Sequence, residues 1–558
     1  MPGPPLASML DPSTQMFPAL TREQVERVRE FGRARKVEHG EILFEPGDSA
    51  IPFFVLISGS MEIVQPGDEG ERPIATHDRP GEFTGEMAML SGQQSLVRGR
   101  VTEPGEFLEI DADAFRSLVS RDAEISEILM RAFILRRLEL IRKGLGNVIL
   151  LGSRHSARTL ELREFLTRNS HPYTDVDLDS DTESQQLLDR FQVKASEVPV
   201  VICHGRHVLR SPSIQELANC LGLNAGVDSR QVRDVIVAGA GPAGLAAAVY
   251  AASEGLDVLV IETRAPGGQA GCSSKIENYL GFPTGISGAE LAARAKAQAQ
   301  KFGAGFMIAR SIARLSGSGP PYEIELDFGE KLLARAIVIA TGAQYNRLDL
   351  ENLEEFEGKG VYYAATFMES QLCGGEQVAV VGGGNSAGQA AVFLSQNAPK
   401  VHMLVRSGEL KSTMSRYLIQ RIVENPRIEL HFRTEITALA GNAHLERVTW
   451  HDNQAGESST RDLRHVFVMT GASPCTSWLR GTVALDAKGF VLTGRDLDTP
   501  PDGVAVWPLE RRRQMLETSL PRVFAVGDVR AGNVKRVASA VGEGAIAISM
   551  VHRVLDEP

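Results

Sequence analysis

Two glycine-rich turns in the second half of the chain have the spacing that binds a dinucleotide. The first turn, residues 239–244, follows an apolar stretch typical of a buried strand and precedes an alanine-rich stretch typical of a helix. Gly239 permits a tight turn, Gly241 lets backbone N–H groups approach a pyrophosphate, and Gly244 allows close packing of the helix on the strand. We therefore expect this turn to bind a dinucleotide through Gly239, Gly241, Pro242, Ala243 and Gly244.

An acidic residue ends the strand that follows this helix. Glu262 closes the apolar stretch DVLVIE. It follows the glycine-rich turn by about 20 residues, the sequence spacing at which a carboxylate accepts a hydrogen bond from a ribose hydroxyl. An acid at this place suits a ribose with a free 2′-hydroxyl, as in the adenosine of FAD or NAD. The turn and the acid together predict a dinucleotide site of that kind.

A second copy of the pattern begins at residue 377. Its turn ends in alanine, which the pattern permits, and its binding residues would be Gly382, Gly384, Asn385, Ser386 and Ala387. Its second strand ends at Arg406 rather than at an acid, with Lys411 close behind. Cations there can pair with a 2′-phosphate, which favours NADPH over NADH; the alternative is that both side chains are simply solvated. Two copies predict two separate dinucleotide sites.

Length and charge exclude several classes of protein. The 558 residues correspond to about three to four domains. Lys and Arg number 59 against 70 Asp and Glu, a net charge of −11, so we expect no nucleic-acid partner. The N-terminal segment MPGPPLASML lacks the features of a signal peptide. The nearly uncharged stretch 235–253 contains the first glycine-rich turn, so we expect no membrane span.

Cysteine usage indicates the compartment. The chain has five cysteines and no CxxC motif, which argues against a disulfide framework and against a metal site. We therefore expect a cytoplasmic protein in a reducing environment. The cysteines are isolated from one another in the sequence: Cys203, Cys220, Cys272, Cys373 and Cys475.

The pattern along the chain predicts a multidomain architecture. Residues 17–118 alternate short apolar stretches with Gly and Pro turns, which is typical of a β-roll or β-sandwich. Residues 147–223 combine a buried strand, an amphipathic helix, a hairpin and a closing helix, which predicts a small α/β domain. Strand, turn and helix units from residue 232 onward predict two Rossmann-like α/β domains. The expected boundaries are a loose tail at 1–16, the β-roll at 17–145, the small domain at 146–228, and Rossmann-like segments at 229–350, 351–480 and 481–558.

Residues 231–558 resemble the low-molecular-weight thioredoxin reductases. The motifs that carry the resemblance are PGGQ (266–269), IENYLGFP (276–283), IVIATGA (337–343), VFAVGDVR (523–530) and KRVASAVGEG (535–544). The resemblance implies a flavoprotein homodimer whose FAD domain is split around an inserted NADPH domain at 351–480. It implies further FAD-binding residues, with Asp528 on the ribityl chain: Gly268, Gln269, Asn278, Thr341, Gly342, Gly527, Asp528, Arg536, Val537 and Ala538.

The redox dithiol of that family is missing from this sequence. The family carries Cys-Ala-Thr-Cys just before the second turn, and the two cysteine positions here hold Ala364 and Phe367. Disulfide reduction needs one thiolate to attack and a second to resolve the mixed disulfide. Cys373 stands alone and is expected to be a buried apolar residue rather than a nucleophile. We therefore assign no catalytic residue and do not expect ordinary thioredoxin reduction.

The two N-terminal domains show comparable losses. Residues 147–223 resemble a thioredoxin or glutaredoxin fold, with Pro199 at its cis-proline position, but Ser153 and Ser156 stand where that fold carries its CxxC. This implies a docking or dimer-contact role. Residues 17–145 resemble a cyclic-nucleotide-binding domain, and Gly85 and Glu86 stand in its phosphate cassette. The family's phosphate-pairing arginine is absent there, which argues against cyclic-nucleotide binding unless Arg98 substitutes for it.

These observations favour an FAD-dependent, NADPH-oxidising enzyme that passes electrons from the flavin to a non-disulfide acceptor. Candidates for the acceptor are a quinone, an iron–sulfur or flavin protein, or oxygen. One alternative is a flavin and NADPH redox sensor without substantial turnover. Another is a ferredoxin–NADP reductase-like enzyme.

Overall fold

The computed structural model describes most of the chain, namely residues 16–48, 51–67, 70–85, 95, 97–142, 148–153, 156–178, 197–203, 207–224, 230–273, 275–363, 365, 373–411, 413–470, 472–498 and 507–557. The strands within these residues form several separate sheets, and most sheets draw on one continuous part of the chain.

An antiparallel sheet occupies the N-terminal part. Its order is β1-β6-β3-β4, with β2 paired to β6 and β5 paired to β3. The strands are β1 (Arg33–Val37), β2 (Ile42–Phe44), β3 (Phe53–Gly67), β4 (Gly70–His77), β5 (Phe83–Thr84) and β6 (Arg98–Ile110). Apolar side chains pack against it from helices α1 (Arg22–Arg29), α2 (Ala112–Arg121) and α3 (Ala123–Arg142). The ring of Phe53 lies at the centre of this core, 5.7 Å from the ring of Phe83 and 4.9 Å from that of Phe115.

A smaller mixed sheet follows, in the order β10-β9-β7-β8. Strands β7 and β8 run parallel, and β9 and β10 form the expected hairpin. Its strands are β7 (Val148–Gly152), β8 (Thr174–Asp177), β9 (Val200–Cys203) and β10 (His207–Arg210), and its helices are α4 (Ala157–Arg168) and α5 (Ile214–Cys220). The Val198–Pro199 peptide bond before β9 is cis.

A seven-stranded sheet is built from two distant parts of the chain. Its main order is β13-β12-β11-β16-β15-β14, and the C-terminal strand β27 pairs in parallel with β16. The strands are β11 (Val232–Ala238), β12 (Val258–Glu262), β13 (Gly305–Ile308), β14 (Ile312–Ser316), β15 (Tyr322–Leu326), β16 (Lys331–Ile339) and β27 (Val523–Ala525). Helices α6 (Pro242–Ser253), α7 (Gly288–Lys301) and α11 (Val537–Leu555) belong to this unit.

A five-stranded parallel sheet lies between these two parts in sequence. Its order is β18-β25-β19-β20-β21, and a three-stranded antiparallel sheet, β22-β23-β24, lies beside it. The strands are β18 (Val361–Tyr362), β19 (Val378–Val381), β20 (Val401–Val405), β21 (Ile428–Phe432), β22 (Thr434–Gly441), β23 (Leu445–Asp452), β24 (Glu457–Asp462) and β25 (His465–Val468). The helices are α8 (Leu353–Phe356), α9 (Asn385–Leu394) and α10 (Arg416–Val423).

The chain passes between the seven-stranded and five-stranded sheets twice, and the two crossings pair with each other. Strand β17 (Ala343–Tyr345) leaves the first sheet, and β26 (Ala472–Pro474) returns to it. Both faces of the five-stranded sheet are covered, one by helices α9 and α10 and the other by the β22-β23-β24 sheet. Every residue of β19 and β20 is therefore buried. Among the described helices, none has both the length and the apolar character that crossing a membrane requires.

Candidate functional site

The first glycine-rich turn connects β11 to α6 with a geometry that only glycines allow. Gly239 has a φ of +104°, and a Cβ there would lie 2.4 Å from the carbonyl oxygen of Ala340. A Cβ on Gly244 would lie 1.9 Å from the carbonyl oxygen of Gly239, so α6 packs directly on the turn. Gly241 is the N-cap of α6 and offers no side chain to the first N–H groups. These N–H groups point at the space where an anion can bind.

Glu262 holds the turn from the end of β12. Its Oε2 atom accepts a hydrogen bond from the backbone N–H of Ala240 at 2.8 Å, and its Oε1 atom accepts one from the N–H of Arg264 at 2.9 Å. The side chain is 8% exposed, so the carboxylate is anchored in a buried position. Glu262 therefore lies beside the start of α6, as a ribose-binding acid must.

The motif residues at 268–342 gather around the same turn. Gly268, with a φ of +52°, lies against Gly241, since a Cβ on Gly268 would be 3.1 Å from the Gly241 Cα atom. Gln269 donates a side-chain hydrogen bond to the carbonyl of Ala343. The Thr341 hydroxyl donates to the carbonyl of Cys475 at 2.8 Å, and the N–H of Cys475 donates to the carbonyl of Gly342 at 3.0 Å. The exposed Asn278 lines the same space.

The C-terminal motif packs onto α6 from the other side. Gly527 has a φ of +72°, and a Cβ there would lie 2.9 Å from the Cβ of Ala243. The N–H of Gly527 donates to Glu543 at 2.8 Å. Burial raises the pKa of Asp528 above its usual value. Arg536 is the N-cap of α11, followed by Val537 and Ala538 in its first turn.

The second glycine-rich turn repeats this arrangement between β19 and α9. Gly382 has a φ of +141°, and a Cβ there would lie 2.3 Å from the carbonyl oxygen of Met469. Gly384 is the N-cap of α9 and offers no capping side chain, so the first N–H groups of α9 are open. The side chain of Asn385 accepts a hydrogen bond from the N–H of Ser415 at 2.9 Å. Ser386 and Ala387 continue the first turn of the helix.

The two cations that follow β20 differ in position. Arg406 comes directly after the strand, is exposed, and lines the space next to the second turn. Lys411 is also exposed but does not line that space. Arg406 is therefore the better placed of the two to meet a phosphate.

Both turns open into one continuous cavity of about 2280 Å³. Most of the residues expected at the two dinucleotide sites line it: Gly239, Gly241, Pro242, Ala243, Glu262, Gly268, Gln269, Asn278, Thr341, Gly342, Gly527, Asp528, Arg536, Val537, Gly382, Gly384, Asn385, Ser386 and Arg406. The remaining four do not: Gly244, Ala538, Ala387 and Lys411. A dinucleotide fits at each turn, because a Cβ on Gly241 would meet nothing closer than 4.0 Å and both helix N-termini lack a capping side chain.

The cysteines lie where the sequence alone does not place them. Cys272 and Cys475 line the cavity, and burial raises the pKa of the Cys475 thiol. Cys373 is buried, at 1% exposure. Although distant in sequence, Cys203 and Cys220 lie in contact, and the hydrogen bond between them raises the pKa of the Cys203 thiol. Ala364 and Phe367, the two family dithiol positions, lie outside the described residues.

The N-terminal sheet presents only part of its expected ligand site. Gly85 follows β5 with a φ of +93°, and a Cβ there would lie 2.2 Å from the carbonyl oxygen of Pro52. Glu86 lies outside the described residues. Arg98 is held by two carboxylates: its Nε atom lies 2.9 Å from Glu45, and a second guanidinium nitrogen pairs with Glu71. The Arg98 charge is thus already neutralised within the sheet.

One cluster escaped the sequence analysis. His402, Glu429 and His431 project from β20 and β21 with their potential ligand atoms within 4.8 Å of one another. The signal was present, because consecutive strands of a βαβ unit are neighbours and His402 is in register with Glu429. The cluster contains no cysteine, so cysteine spacing carries no information about it.

The fold and the two turns define a dinucleotide-binding oxidoreductase, and comparison with known proteins identifies the family. The family model of pyridine nucleotide-disulphide oxidoreductases matches residues 233–544, and that of cyclic nucleotide-binding domains matches residues 34–122. The chain therefore belongs to the pyridine nucleotide-disulphide oxidoreductase family, and a cyclic nucleotide-binding domain precedes the family module. FAD and NADPH are the cofactors of its thioredoxin reductases.

Individual relatives agree with this assignment. The chain is 30% identical over 368 residues to NADPH-dependent thioredoxin reductase 3 of Arabidopsis thaliana, covering 63% of this chain and 65% of that protein, just under two thirds of its length. It is 32% identical over 314 residues to the thioredoxin reductase of Treponema pallidum, covering 56% of this chain and 94% of that protein. A crystal structure of Lactococcus lactis thioredoxin reductase in the FR conformation matches with a TM-score of 0.52 and 25% identity, over 58% of this chain and 100% of the other.

These comparisons confirm the resemblance to thioredoxin reductases and to cyclic-nucleotide-binding domains. The likeness of residues 147–223 to a thioredoxin fold stays a prediction, as do the domain boundaries and the individual binding residues.

Proposed function

We propose that this chain oxidises NADPH through FAD and passes the electrons to an acceptor other than a disulfide. The single observation that carries the proposal is the shared cavity. The glycine-rich turns at 239–244 and 382–387 open into one space, so two dinucleotides bound there can meet. The sequence has no CxxC motif that could take electrons onward from the flavin.

The residues of the chain bind and orient, and none has to transfer a proton. The open N–H groups at the starts of α6 and α9 bind the two diphosphates, Glu262 holds the ribose on the FAD side, and Arg406 pairs with the 2′-phosphate on the NADPH side. The chemistry that bound FAD supplies is acceptance of a hydride from NADPH and onward release of electrons. Hydride transfer needs the two coenzymes to approach each other, and both turns face one cavity.

The cysteines support a non-disulfide acceptor. Disulfide exchange requires a thiolate, and the two thiols that line the cavity do not form a CxxC pair. Burial raises the pKa of the Cys475 thiol, so it is protonated at neutral pH. Cys373 is shielded from solvent, at 1% exposure. Neither Cys475 nor Cys373 therefore has the properties of an attacking nucleophile.

Rapid mixing with NADPH under anaerobic conditions tests the first half of the proposal. The purified yellow protein should lose its flavin absorbance at about 450 nm within seconds of mixing. Reoxidation is then followed with quinones, a ferredoxin, a flavodoxin and oxygen, each offered separately. Rapid bleaching followed by fast reoxidation with at least one of these acceptors supports the enzyme.

Two results would contradict this function. If NADPH does not bleach the flavin, or if no acceptor reoxidises the flavin quickly, the result favours the redox sensor. Thioredoxin-dependent turnover in a coupled disulfide assay would overturn the non-disulfide acceptor. The Cys373→Ser variant is the control. Because Cys373 is buried and is not expected to react, its replacement should leave the rate of electron transfer to a non-disulfide acceptor unchanged.

For the N-terminal domain we propose a regulatory or structural role rather than binding of an ordinary cyclic nucleotide. Arg98 already pairs with Glu45 and Glu71, so a phosphate would have to displace two carboxylates. Calorimetric titration with cAMP and cGMP tests this, and we expect no saturable binding. A homodimer through the FAD unit, as the family resemblance implies, is the further proposal that light scattering on the full chain can check.

A further inference from the structure

Helix α4 lies along the dinucleotide cavity, although it precedes the family module in the chain. The module spans residues 233–544, and α4 belongs to the small mixed sheet before it. One face of α4, spaced at three and four residues, lines the cavity through Ala157, Leu160, Glu161, Glu164 and Arg168. The small domain is therefore part of the cofactor cavity wall.

Arg168, at the C-terminal end of α4, contacts the first dinucleotide site directly. One of its Nη atoms donates a hydrogen bond to the carbonyl of Gly268 at 3.0 Å, and the other lies 3.2 Å from Glu164. Its side chain is 15% exposed. Its Nε–H group is buried and finds no acceptor among the described residues. The Nε–H of Arg163 on the same helix also lacks an acceptor, so what distinguishes Arg168 is that its guanidinium lies at the cavity beside Gly268.

The position of Gly268 identifies what the acceptor is. Gly268 lies against Gly241, the N-cap at which α6 exposes its first N–H groups. Arg168 therefore faces the diphosphate-binding end of α6 from across the cavity. A guanidinium supplies several N–H donors in a planar fork, and a diphosphate supplies the matching oxygens and negative charge.

The end of α4 is held in this place independently of Arg168. The side-chain amide of Asn169 donates to the carbonyl of Arg264 at 3.3 Å and to the carbonyl of Phe165 at 2.9 Å. Arg264 follows Glu262 in the same loop. The helix end is thus fastened to the FAD site, and Arg168 is presented by a fixed backbone.

We propose that Arg168 is a ligand of the FAD diphosphate, supplied by the domain that precedes the family module. The inference rests on the proposed function only in that FAD occupies the first turn. It assigns the small domain a role in cofactor binding that needs no CxxC motif.

Binding measurements on the full chain test the assignment without relying on turnover. Wild type and Arg168→Gln are freed of flavin and titrated with FAD by flavin fluorescence, then with ADP and adenosine as competitors. We expect the variant to bind FAD and ADP about 10- to 100-fold more weakly, because one charge-assisted contact to the diphosphate is lost. Adenosine, which has no phosphate, should bind both proteins equally.

Two further variants separate charge from folding. Arg163→Gln lies on the same helix but pairs with Asp175 and does not line the cavity, so its affinity for FAD should match wild type. Arg168→Lys keeps the positive charge and should recover part of the lost affinity. Equal FAD affinity in wild type and Arg168→Gln, or an equal loss for adenosine and ADP, would overturn the assignment. Failure of wild type to bind FAD would instead overturn the proposed function.

A second, independent feature is the cluster of His402, Glu429 and His431 on β20 and β21. The Nδ1 atom of His402 lies 3.1 Å from the Nε2 atom of His431. Two different oxygens of the Glu429 carboxylate face these nitrogens: Oε2 lies 3.7 Å from the first, and Oε1 lies 3.6 Å from the second. In a tetrahedral zinc site with bonds of about 2.0–2.1 Å, neighbouring ligand atoms lie about 3.3–3.4 Å apart. The two ring nitrogens are thus close to this spacing, and one ligand atom of each of the three residues lies within 4.8 Å of the others.

The surroundings of His402 favour metal binding. Its Nε2–H donates to the side-chain oxygen of Gln377 at 3.0 Å, which leaves the Nδ1 lone pair directed at the cluster. Histidine ligands of metals are commonly oriented by such a hydrogen bond from their other ring nitrogen.

The geometry points to a zinc site formed by His402, Glu429 and His431. Isothermal titration of the full chain with Zn²⁺ should show one saturable site. Affinity should fall at least tenfold in Glu429→Gln. It should rise in Lys400→Met, since the Lys400 ammonium pairs with the same carboxylate. His451→Gln is the matched control, because His451 is a half-buried histidine on β23 outside the cluster. No saturable binding by wild type, or an equal loss in His451→Gln, would overturn the site.

Discussion

The carboxylate of Glu262 and the backbone N–H of Ala240 are joined by a hydrogen bond of 2.8 Å. The bond links the end of β12 to the glycine-rich turn after β11, so the acid both shapes the turn and stands beside it. The same carboxylate accepts a second bond from Arg264, in the loop to which α4 is fastened. One acid therefore connects the cofactor turn to the loop that orders the small domain.

Replacing Glu262 should weaken FAD binding. Glu262→Gln keeps the shape of the side chain but removes its charge and one of its two strong acceptors. We expect FAD affinity to fall about 10-fold or more, since hydrogen bonds to a charged group contribute about 1.5–3 kcal/mol. Flavin fluorescence titration measures the change. Glu254→Gln, whose partner is His552, is the control and should bind FAD like wild type; equal affinity in both variants would contradict the role of Glu262.

Gly244→Ala should destabilise the protein, whereas the same change at Gly542 should not. A Cβ at Gly244 would lie 1.9 Å from the carbonyl oxygen of Gly239, which is backbone and cannot move aside. Overpacking of this kind costs about 1–3 kcal/mol, and we expect a loss of roughly 3–10 °C in Tm together with weaker flavin retention. A Cβ at Gly542 meets nothing within 4 Å, and alanine favours its helix. Differential scanning calorimetry compares them, and equal Tm values would refute the packing argument.

Arg406→Ser should reduce the preference for NADPH over NADH. Arg406 lines the cavity just beyond β20, where a 2′-phosphate is expected. We expect the KM for NADPH in flavin reduction to rise about 10- to 100-fold, because a charge-assisted phosphate contact is lost. The KM for NADH should change little. Lys411→Ser, outside the cavity, is the comparison, and a parallel rise for both coenzymes in Arg406→Ser would indicate a structural effect instead.

The N-terminal sheet should lose stability as the pH falls below neutrality. Burial, with Arg136 and Arg79 nearby and Glu82 opposing them, lowers the pKa of His77 to about 4, whereas the unfolded imidazole has a pKa of about 6.5. Between these values the unfolded state binds the proton and the folded state does not, so stability decreases on acidification from pH 6.5 to 4. The contribution of His77 is at most about 3 kcal/mol.

Hydrogen exchange of β3 and β6 amides at pH 7 and pH 5, corrected for intrinsic rates, measures this loss. In His77→Gln the pH dependence should be smaller, because one titrating group is removed. A pH dependence that is unchanged in the variant would assign the effect to other groups, of which Glu82 is the nearest.

Sequence reasoning succeeded where the relevant structure is local. Three predicted residues stand at the ends of strands: Gly239, Glu262 and Arg406. The first two belong to the first strand–turn–helix–strand unit, and Arg406 belongs to the second. Their positions follow from the lengths of neighbouring elements and from the backbone conformations that glycine allows. The resemblance implied a split FAD domain but no particular strand pairing; the pairing of β27 with β16 came only from the structure, because no short-range pattern connects strands so far apart.

The sequence by itself determined two dinucleotide turns, the kind of coenzyme each favours, and the absence of a CxxC motif. Only the tertiary structure decided that both turns share one cavity, that Arg168 reaches Gly268 across 100 residues of chain, and that Cys203 contacts Cys220. The two groups of features differ because they arise from interactions over different distances along the chain. A turn is set by nearby backbone torsions, whereas a cavity wall or a side-chain contact depends on how separately formed units pack against each other.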